Sequence, residues 1–277
     1  MARKQIKEAK RASEGFNVRT VTKIWNELPS STNPYLAEKC LCHGYDQLEL
    51  IQNRGYVDVL YLLFTGELPT RAQGKLLETL MVALINLGPR NPATRAGMNA
   101  AVSRTKPVHL LPISLSVLSG KHLGAEEVEE SIRFFRKNMK LSPDLVANTL
   151  LMEKKGGESD GDWHIAPGFG SRFGGIDPLA QEISLILSKL SACGPAIKWG
   201  NDFVNVLKPH EMGWLSTGLA GAVLCDLGLP PRAGGGLYQI MCAPGLLAHS
   251  LEMLNKPISS MPFLDEKNYV IDEAAGK

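Results

Sequence analysis

Two side chains set the chemical question. His122 stands in Ser119-Gly-Lys-His-Leu-Gly-Ala125, immediately ahead of the acidic, amphipathic run Glu126-Glu-Val-Glu-Glu-Ser-Ile-Arg-Phe-Phe135. The positive end of a helix dipole at that point favours a neutral imidazole, which can donate a hydrogen bond to a developing enolate; a satisfied structural histidine suits the same position. Arg172 belongs to a glycine-rich stretch, Gly156 to Gly175, far longer than the ~4–6 residues of an ordinary connection. Its planar fork suits carboxylate or phosphate, and the glycines around it expose backbone N–H groups to an anion or a flat ring. A mobile surface loop is the bland alternative.

Other motifs are weaker. Gly-x-x-x-x-Gly-Lys-[Ser/Thr], a strand-linked Gly-x-Gly-x-x-Gly and the Gly-x-Ser-x-Gly elbow are all missing, so the glycines do not specify a nucleotide and no serine is marked as a nucleophile. Cys40-Leu-Cys42-His43 lacks a second ligand pair at zinc spacing, and no metal site is expected. His249, in Gly245-Leu-Leu-Ala-His-Ser-Leu251, reads as a packed core residue.

These groups need a frame, and the chain is long enough to build one. With 277 residues, 44% apolar and 21% charged, it can bury a large core as one big domain or a large and a small one. No apolar run reaches the ~18–20 residues of a membrane-spanning helix, and the charged start Met1 to Lys7 has no apolar stretch behind it. Neither membrane insertion nor secretion is expected. A net charge of +2, without a long block of one sign, gives no reason to expect a nucleic-acid partner. Five irregularly spaced cysteines suit a reducing, cytoplasmic setting.

The apolar spacing is helical almost throughout. Residues 1–40 read as an arm without a core of its own. Val57, Leu60, Tyr61 and Phe64 then fall three and four apart, with Gly66 where a helix would end. Pro69-Thr-Arg-Ala72 opens the next helix, carrying Leu76, Leu77, Leu80, Ala83 and Leu84 on one face. Further helices are expected near 93–103, 108–119, 125–139, 143–155, 178–193, 214–227 and 231–254. Gly and Pro mark three joints: Gly88–Pro92, Gly156–Gly175 and Gly194–Pro209. The class is all-α.

Six segments in order resemble the citrate synthase superfamily, and within it the citryl-CoA lyase branch, including the carboxy-terminal module of ATP-citrate lyase. They are Gly44 to Ile51 with Tyr61-Leu-Leu-Phe-Thr-Gly-Glu-Leu-Pro-Thr70; Gly120-Lys-His-Leu-Gly-Ala125; Pro167-Gly-Phe-Gly-Ser-Arg172 with Asp177-Pro178; Thr217-Gly-Leu-Ala-Gly221; Gly228-Leu-Pro-Pro231; and Ala243 to Glu252. The resemblance covers about residues 40–271. It implies a large helical domain (41–120 and 216–277) and a small one (121–215), closing over a coenzyme A thioester and a carboxylic acid in a homodimer, with no covalently bound cofactor. His122 would steady the enol, Arg172 would grip substrate carboxylate, and Pro167, Gly168, Phe169 and Gly170 would contact coenzyme A.

The chain departs from that pattern where the chemistry is done. Ser171 stands where the second histidine is expected, Thr217 where the proton-moving aspartate is, and Leu87 where a further substrate-binding histidine is. A positioned acid–base group contributes roughly 10²–10⁴-fold, and a threonine hydroxyl cannot serve as that base. Asp162, Asp177, Asp202 and Glu211 are the candidate substitutes. The implied function is carbon–carbon bond cleavage or condensation through an enol on an altered acid. Its alternative is a catalytically silent paralogue that binds coenzyme A or regulates.

Overall fold

Local sequence chemistry accounts for most element boundaries in this computed structural model, which describes residues 20–153 and 164–269. The chain divides into two compact units, Met1–Glu67 and Leu68–Lys277.

In the first unit β1 (Trp25–Pro29) and β2 (Ala37–Cys42) pair antiparallel, with Trp25 opposite Cys42. The register slips at Leu28/Pro29, where proline removes a ladder donor from an edge strand. β1 is exposed along its whole length. His43 and Gly44, both with positive φ (48° and 88°), form the two-residue turn into β3 (Tyr45–Asp46). Asp46 then caps α1 (Gln47–Asn53) by accepting from the Leu48 N–H at 2.8 Å. The α2 helix (Tyr56–Thr65) ends, as its sequence predicts, on Gly66 in the left-handed region.

The second unit is built around one helix that is buried along most of its length. α3 (Arg71–Leu84) begins with a capping box: Thr70 Oγ1 accepts from the Gln73 N–H, and Gln73 Oε1 accepts from the Thr70 N–H. α4 (Pro92–Val102) and α5 (Pro107–Leu118) each start with proline at the first helical position. α6 (Ala125–Asn138) carries Glu126 and Glu127 in its first turn and Arg136 and Lys137 in its last, in line with the dipole. Then come α7 (Pro143–Glu153), the short strands β4 (His164–Ala166) and β5 (Phe169–Gly170), and α8 (Pro178–Ser188), capped by Asp177. α9 (Pro195–Leu207) leads to β6 (Gly213–Trp214), which pairs with β5; α10 (Ser216–Asp226) and the long α11 (Pro231–Met253) follow. Every residue of α10 from Thr217 to Leu224 is buried, and α10 packs on α6, α9 and α3.

The expected all-α class holds, with two small sheets added among the described residues. The expected joint at Gly194–Pro209 is instead α9. Ala196, Ile197, Gly200, Phe203, Val204 and Leu207 recur three and four apart and are buried, and Pro195 sits at the first helical position where it breaks nothing. Gly200 is a packing residue, since a Cβ there would lie 2.2 Å from the Trp214 ring. Asp226 stabilises the start of this helix from α10, accepting from the N–H groups of Gly194, Ala196 and Ile197.

A cluster of aromatic side chains packs around β5 and β6. Phe169 of β5 meets Trp214 and Phe203 with ring centroids 4.6 and 4.8 Å apart, and Phe135 of α6 at 5.7 Å. Trp214 satisfies its indole N–H on Asn201 Oδ1 at 2.9 Å. In α11, Pro244 removes one helical donor, and the next residue, Gly245, turns its N–H to the Ile85 carbonyl at 2.9 Å. A Cβ on Gly245 would sit 2.4 Å from that oxygen, so glycine permits the close approach.

Candidate functional site

At the start of α6, one buried carboxylate gathers donors from three other segments. Glu127 is 3% exposed. Its Oε1 meets His164 Nδ1 of β4 at 2.5 Å and accepts from the Gly168 N–H at 3.0 Å. Its Oε2 accepts from the Leu123 N–H at 3.2 Å and from Thr217 Oγ1, at the start of α10, at 2.9 Å. A buried carboxylate needs such partners to offset its lost hydration, and four donors supply them. The contact with Glu127 assigns the His164 tautomer: Nδ1 carries the proton and Nε2 is the basic nitrogen.

His122 lies against this pair. Its ring stacks on His164 with centroids 4.7 Å apart and planes 25° apart. Lys121, His122, Glu127, Glu130, His164 and Pro167 contribute to the wall of a pocket of about 350 Å³. The backbone that presents His122 is tightly built: Leu123 has φ of 54°, and a Cβ on Gly124 would lie 2.1 Å from the Gly120 carbonyl oxygen.

The loop expected to touch coenzyme A is largely committed to packing. Gly168 has φ of 83°, and a Cβ there would fall 2.2 Å from Gly218 Cα, so glycine on both sides lets the loop lie directly on α10. Its carbonyl accepts from the Leu215 N–H at 3.0 Å. Phe169 and Gly170 are buried in the sheet with Trp214 and Gly213. Of the four residues Pro167–Gly170, Pro167 is the one that lines the His122 pocket.

Arg172 lines a different hollow, of about 90 Å³, together with Leu87, Asn86, Asp177, Leu123 and Ser216 among others. Its backbone pairs with Gly175, its guanidinium carbon stands 5.6 Å from the Phe173 ring centre, and its Nε is buried without a hydrogen-bond partner. His122 and Arg172 thus line separate cavities, with His122 in the wall of one and its neighbour Leu123 in the wall of the other. Ser171 is buried beside Arg172, and Thr217 spends its hydroxyl on Glu127.

Of the carboxylates proposed as substitutes, Asp177 caps α8 through the N–H groups of Leu179 and Ala180 and also faces the Arg172 hollow. Asp202 and Glu211 are exposed, and Asp162 lies outside the described residues. His249, read from sequence as core, is partly buried and approaches Asn86 Oδ1 through Nε2 at 3.1 Å. His43 approaches the Leu63 carbonyl, and among the described residues no three His, Cys, Asp or Glu side chains come together to hold a metal ion. Glu127 and His164 are the residues that sequence reading missed. The available signal was weak: Glu127 flanks the buried stripe Val128, Ile132 and Phe135, and His164 sits in the glycine-rich stretch.

No protein-family model matches this sequence, and neither does any curated protein. Solved structures do. Citryl-CoA lyase from Hydrogenobacter thermophilus superposes with a TM-score of 0.73 at 23% identity, over 93% of this chain and 96% of that one. ATP citrate lyase from Methanothrix soehngenii, solved with citrate and coenzyme A, gives 0.68 at 14% identity over 91% of this chain, which spans 43% of it. Citrate synthase from Thermoplasma acidophilum, in a ternary complex with carboxymethyl coenzyme A and oxaloacetate, gives 0.59 at 18% identity over 83% of this chain and 62% of that one.

Proposed function

On the premise of a citrate synthase-like fold, we propose that this chain makes or breaks a carbon–carbon bond between an acyl-CoA thioester and a carboxylic acid through an enol. The observation that carries this reading is the stacked pair His122 and His164 over the buried carboxylate of Glu127, lining a pocket large enough for a thioester group. In this reading Glu127 and His164 take over the proton transfer that a carboxylate at position 217 would have performed.

The steps balance without another reactant. His164 Nε2 is closed to solvent in this structure, so the His122–His164 stack must open as the thioester enters; Nε2 then takes a proton from the α-carbon of the thioester while Nδ1–H leans on Glu127, which stabilises the imidazolium as it forms. The electron pair moves into the enolate, whose oxygen accepts a hydrogen bond from His122. The α-carbon bonds to the carbonyl carbon of the acid, the carbonyl oxygen takes the proton back from His164, and the product is a 3-hydroxyacyl-CoA. Cleavage is the reverse. The reading requires the His122 pocket and the Arg172 hollow to join when substrates bind, with Arg172 on the carboxylate and Pro167 on the thioester side. The lobes 41–120 with 216–277 and 121–215, a homodimeric assembly and a cytoplasmic setting belong to the same reading. Among the described residues no helix is long and apolar enough to cross a membrane.

Ser171 and Thr217 favour a second reading, a silent coenzyme A-binding or regulatory protein. Incubation with acetyl-CoA in D₂O, with and without 2-oxo acids, separates the two. Deuterium entering the acetyl methyl group, or a new coenzyme A ester found by mass spectrometry, is expected for the enzyme and should be lost in His122→Ala. A rise in melting temperature with coenzyme A and neither of those signals would overturn the enzyme reading in favour of the silent one.

A further inference from the structure

Two side-chain amides in the wall of the Arg172 hollow have their orientation settled by the backbone beside them. Asn86 and Asn91 bracket the turn from α3 to α4, and both line the hollow. Asn86 Oδ1 accepts from the Gly88 N–H at 2.8 Å and meets His249 Nε2 at 3.1 Å; Asn91 Oδ1 caps α4, accepting from the Ala93 N–H at 2.9 Å. A backbone N–H can bond only to the oxygen of a side-chain amide, so in both residues the NH₂ group is turned the other way. The same reasoning makes Nε2 the protonated nitrogen of His249. Among the described residues neither NH₂ group meets an acceptor.

For Asn91 this is unusual, because the residue is 6% exposed and buried donors are normally satisfied. Its NH₂ group is not sealed off as Arg172 Nε is, which leaves the hollow as the place where an acceptor can reach it. Asn86 is exposed but held firmly: α11 grips residues 85 and 86 through the Gly245 N–H on the Ile85 carbonyl and His249 on Asn86 Oδ1. Ser216 adds a hydroxyl to the same wall and Arg172 a positive charge, while Asp177 turns one carboxylate oxygen to the N–H groups of Leu179 and Ala180. Donors beside a cation favour an anion with acceptor oxygens, and a hollow of about 90 Å³ has room for a carboxylate group.

We infer that the NH₂ groups of Asn86 and Asn91 are the donors that bind a carboxylate in this hollow, and that His249 is the residue that positions the Asn86 amide. The inference concerns one carboxylate, and mono-, di- and tricarboxylates meet it alike. It rests on the proposed reaction only for the acid's role as reactant.

The test is two-dimensional amide NMR of the whole protein during titration with pyruvate, oxaloacetate, citrate, inorganic phosphate and the uncharged ester methyl pyruvate. The two side-chain NH₂ signals are assigned by their loss in Asn86→Asp and Asn91→Ser. Both substitutions keep the oxygen that the backbone uses and remove the donors, so melting temperatures should stay within about 2 °C of wild type. At least one acid should move both signals, and each substitution should weaken its binding roughly tenfold. His249→Leu should weaken binding as well, and His249→Gln, whose amide can donate to the same oxygen, should recover most of it. Equal binding of methyl pyruvate, a preference for phosphate, unchanged acid affinity in both asparagine variants, or no signal moved by any acid would overturn the assignment. Acid binding at the two amides without a new coenzyme A ester or α-proton exchange on incubation with acetyl-CoA would leave it standing and remove the proposed reaction. A new ester formed while both amide signals stay unmoved would do the opposite.

Discussion

Replacing Glu127 by glutamine keeps the shape of the side chain and removes the charge, which isolates what the carboxylate contributes. Each carboxylate oxygen faces two donors: His164 Nδ1 and the Gly168 N–H on one side, the Leu123 N–H and Thr217 Oγ1 on the other. A glutamine oxygen can serve one side, and its NH₂ must then face the other. If that is the Leu123 side, the threonine hydroxyl can rotate to accept, but the amide of Leu123 cannot. One orphaned buried N–H costs about 1–3 kcal/mol, and turning the remaining charge-assisted bonds into neutral ones costs about 1 kcal/mol each. The sum is roughly 3–5 kcal/mol, or roughly a 6–10 °C fall in melting temperature at about 2 °C per kcal/mol for a chain of this size. Differential scanning calorimetry or urea unfolding reads it directly. Glu126→Gln is the control one residue away; its carboxylate is half exposed and stands 3.6 Å from an exposed Lys121, so its loss should stay within about 0.5 kcal/mol. Thr217→Val should cost less in the Glu127→Gln background than in the wild type, because the two groups share one hydrogen bond. A fall below about 2 °C for Glu127→Gln, or strict additivity with Thr217→Val, would refute the view that this carboxylate ties the site together.

Gly168→Ala should prevent folding or lower stability by more than about 4 kcal/mol, because its φ of 83° and the 2.2 Å approach to Gly218 Cα leave a methyl group nowhere to go; circular dichroism during thermal unfolding checks it. Burial pushes the Cys242 thiol up to about 12, so a thiol reagent at pH 8 should leave it unlabelled in the folded protein and label all five cysteines, which are free, after denaturation. Because an unfolded thiol ionises near 9 while this one holds its proton, its contribution to stability is present at neutral pH and is lost as pH rises from about 9 towards 12; desolvation pushes Tyr238 in the same direction. Denaturant midpoints measured across that range should therefore fall, and a flat profile would contradict the burial of both groups.

Most of the helical scaffold is legible in the sequence because its boundaries are chemical. Thr70 with Gln73, Asn91 before Pro92, Asp177 before Pro178, and Gly66 at a left-handed stop each mark an end by a local hydrogen bond or backbone requirement. α9 is not legible by that rule, since its glycines and prolines look like a joint until the Trp214 ring shows what Gly200 accommodates. The two-residue turn at His43–Gly44 is readable only once the strands are known, because few residues besides glycine take a positive φ. The site is harder still. His122 and Arg172 stand out by residue type and context, whereas Glu127 is one of four glutamates between 126 and 130 and nothing local says which one turns inward. Its partner His164 is 37 residues away, and Thr217 is 90 away. Pairings of that kind are decided by the packing of α6 against α10, not by spacing.

Pro244 gives α11 a reach beyond its own surface. By hanging Ile85 from the amide of Gly245, it fixes where the following residues, Asn86 and Leu87, stand, and with them one side of the Arg172 hollow. The shape of that hollow can therefore be adjusted from a helix more than 150 residues downstream, without altering any side chain that lines it. If the proposed function holds, laboratory selection for new acids should recover changes around residues 240–249 as readily as changes in the wall.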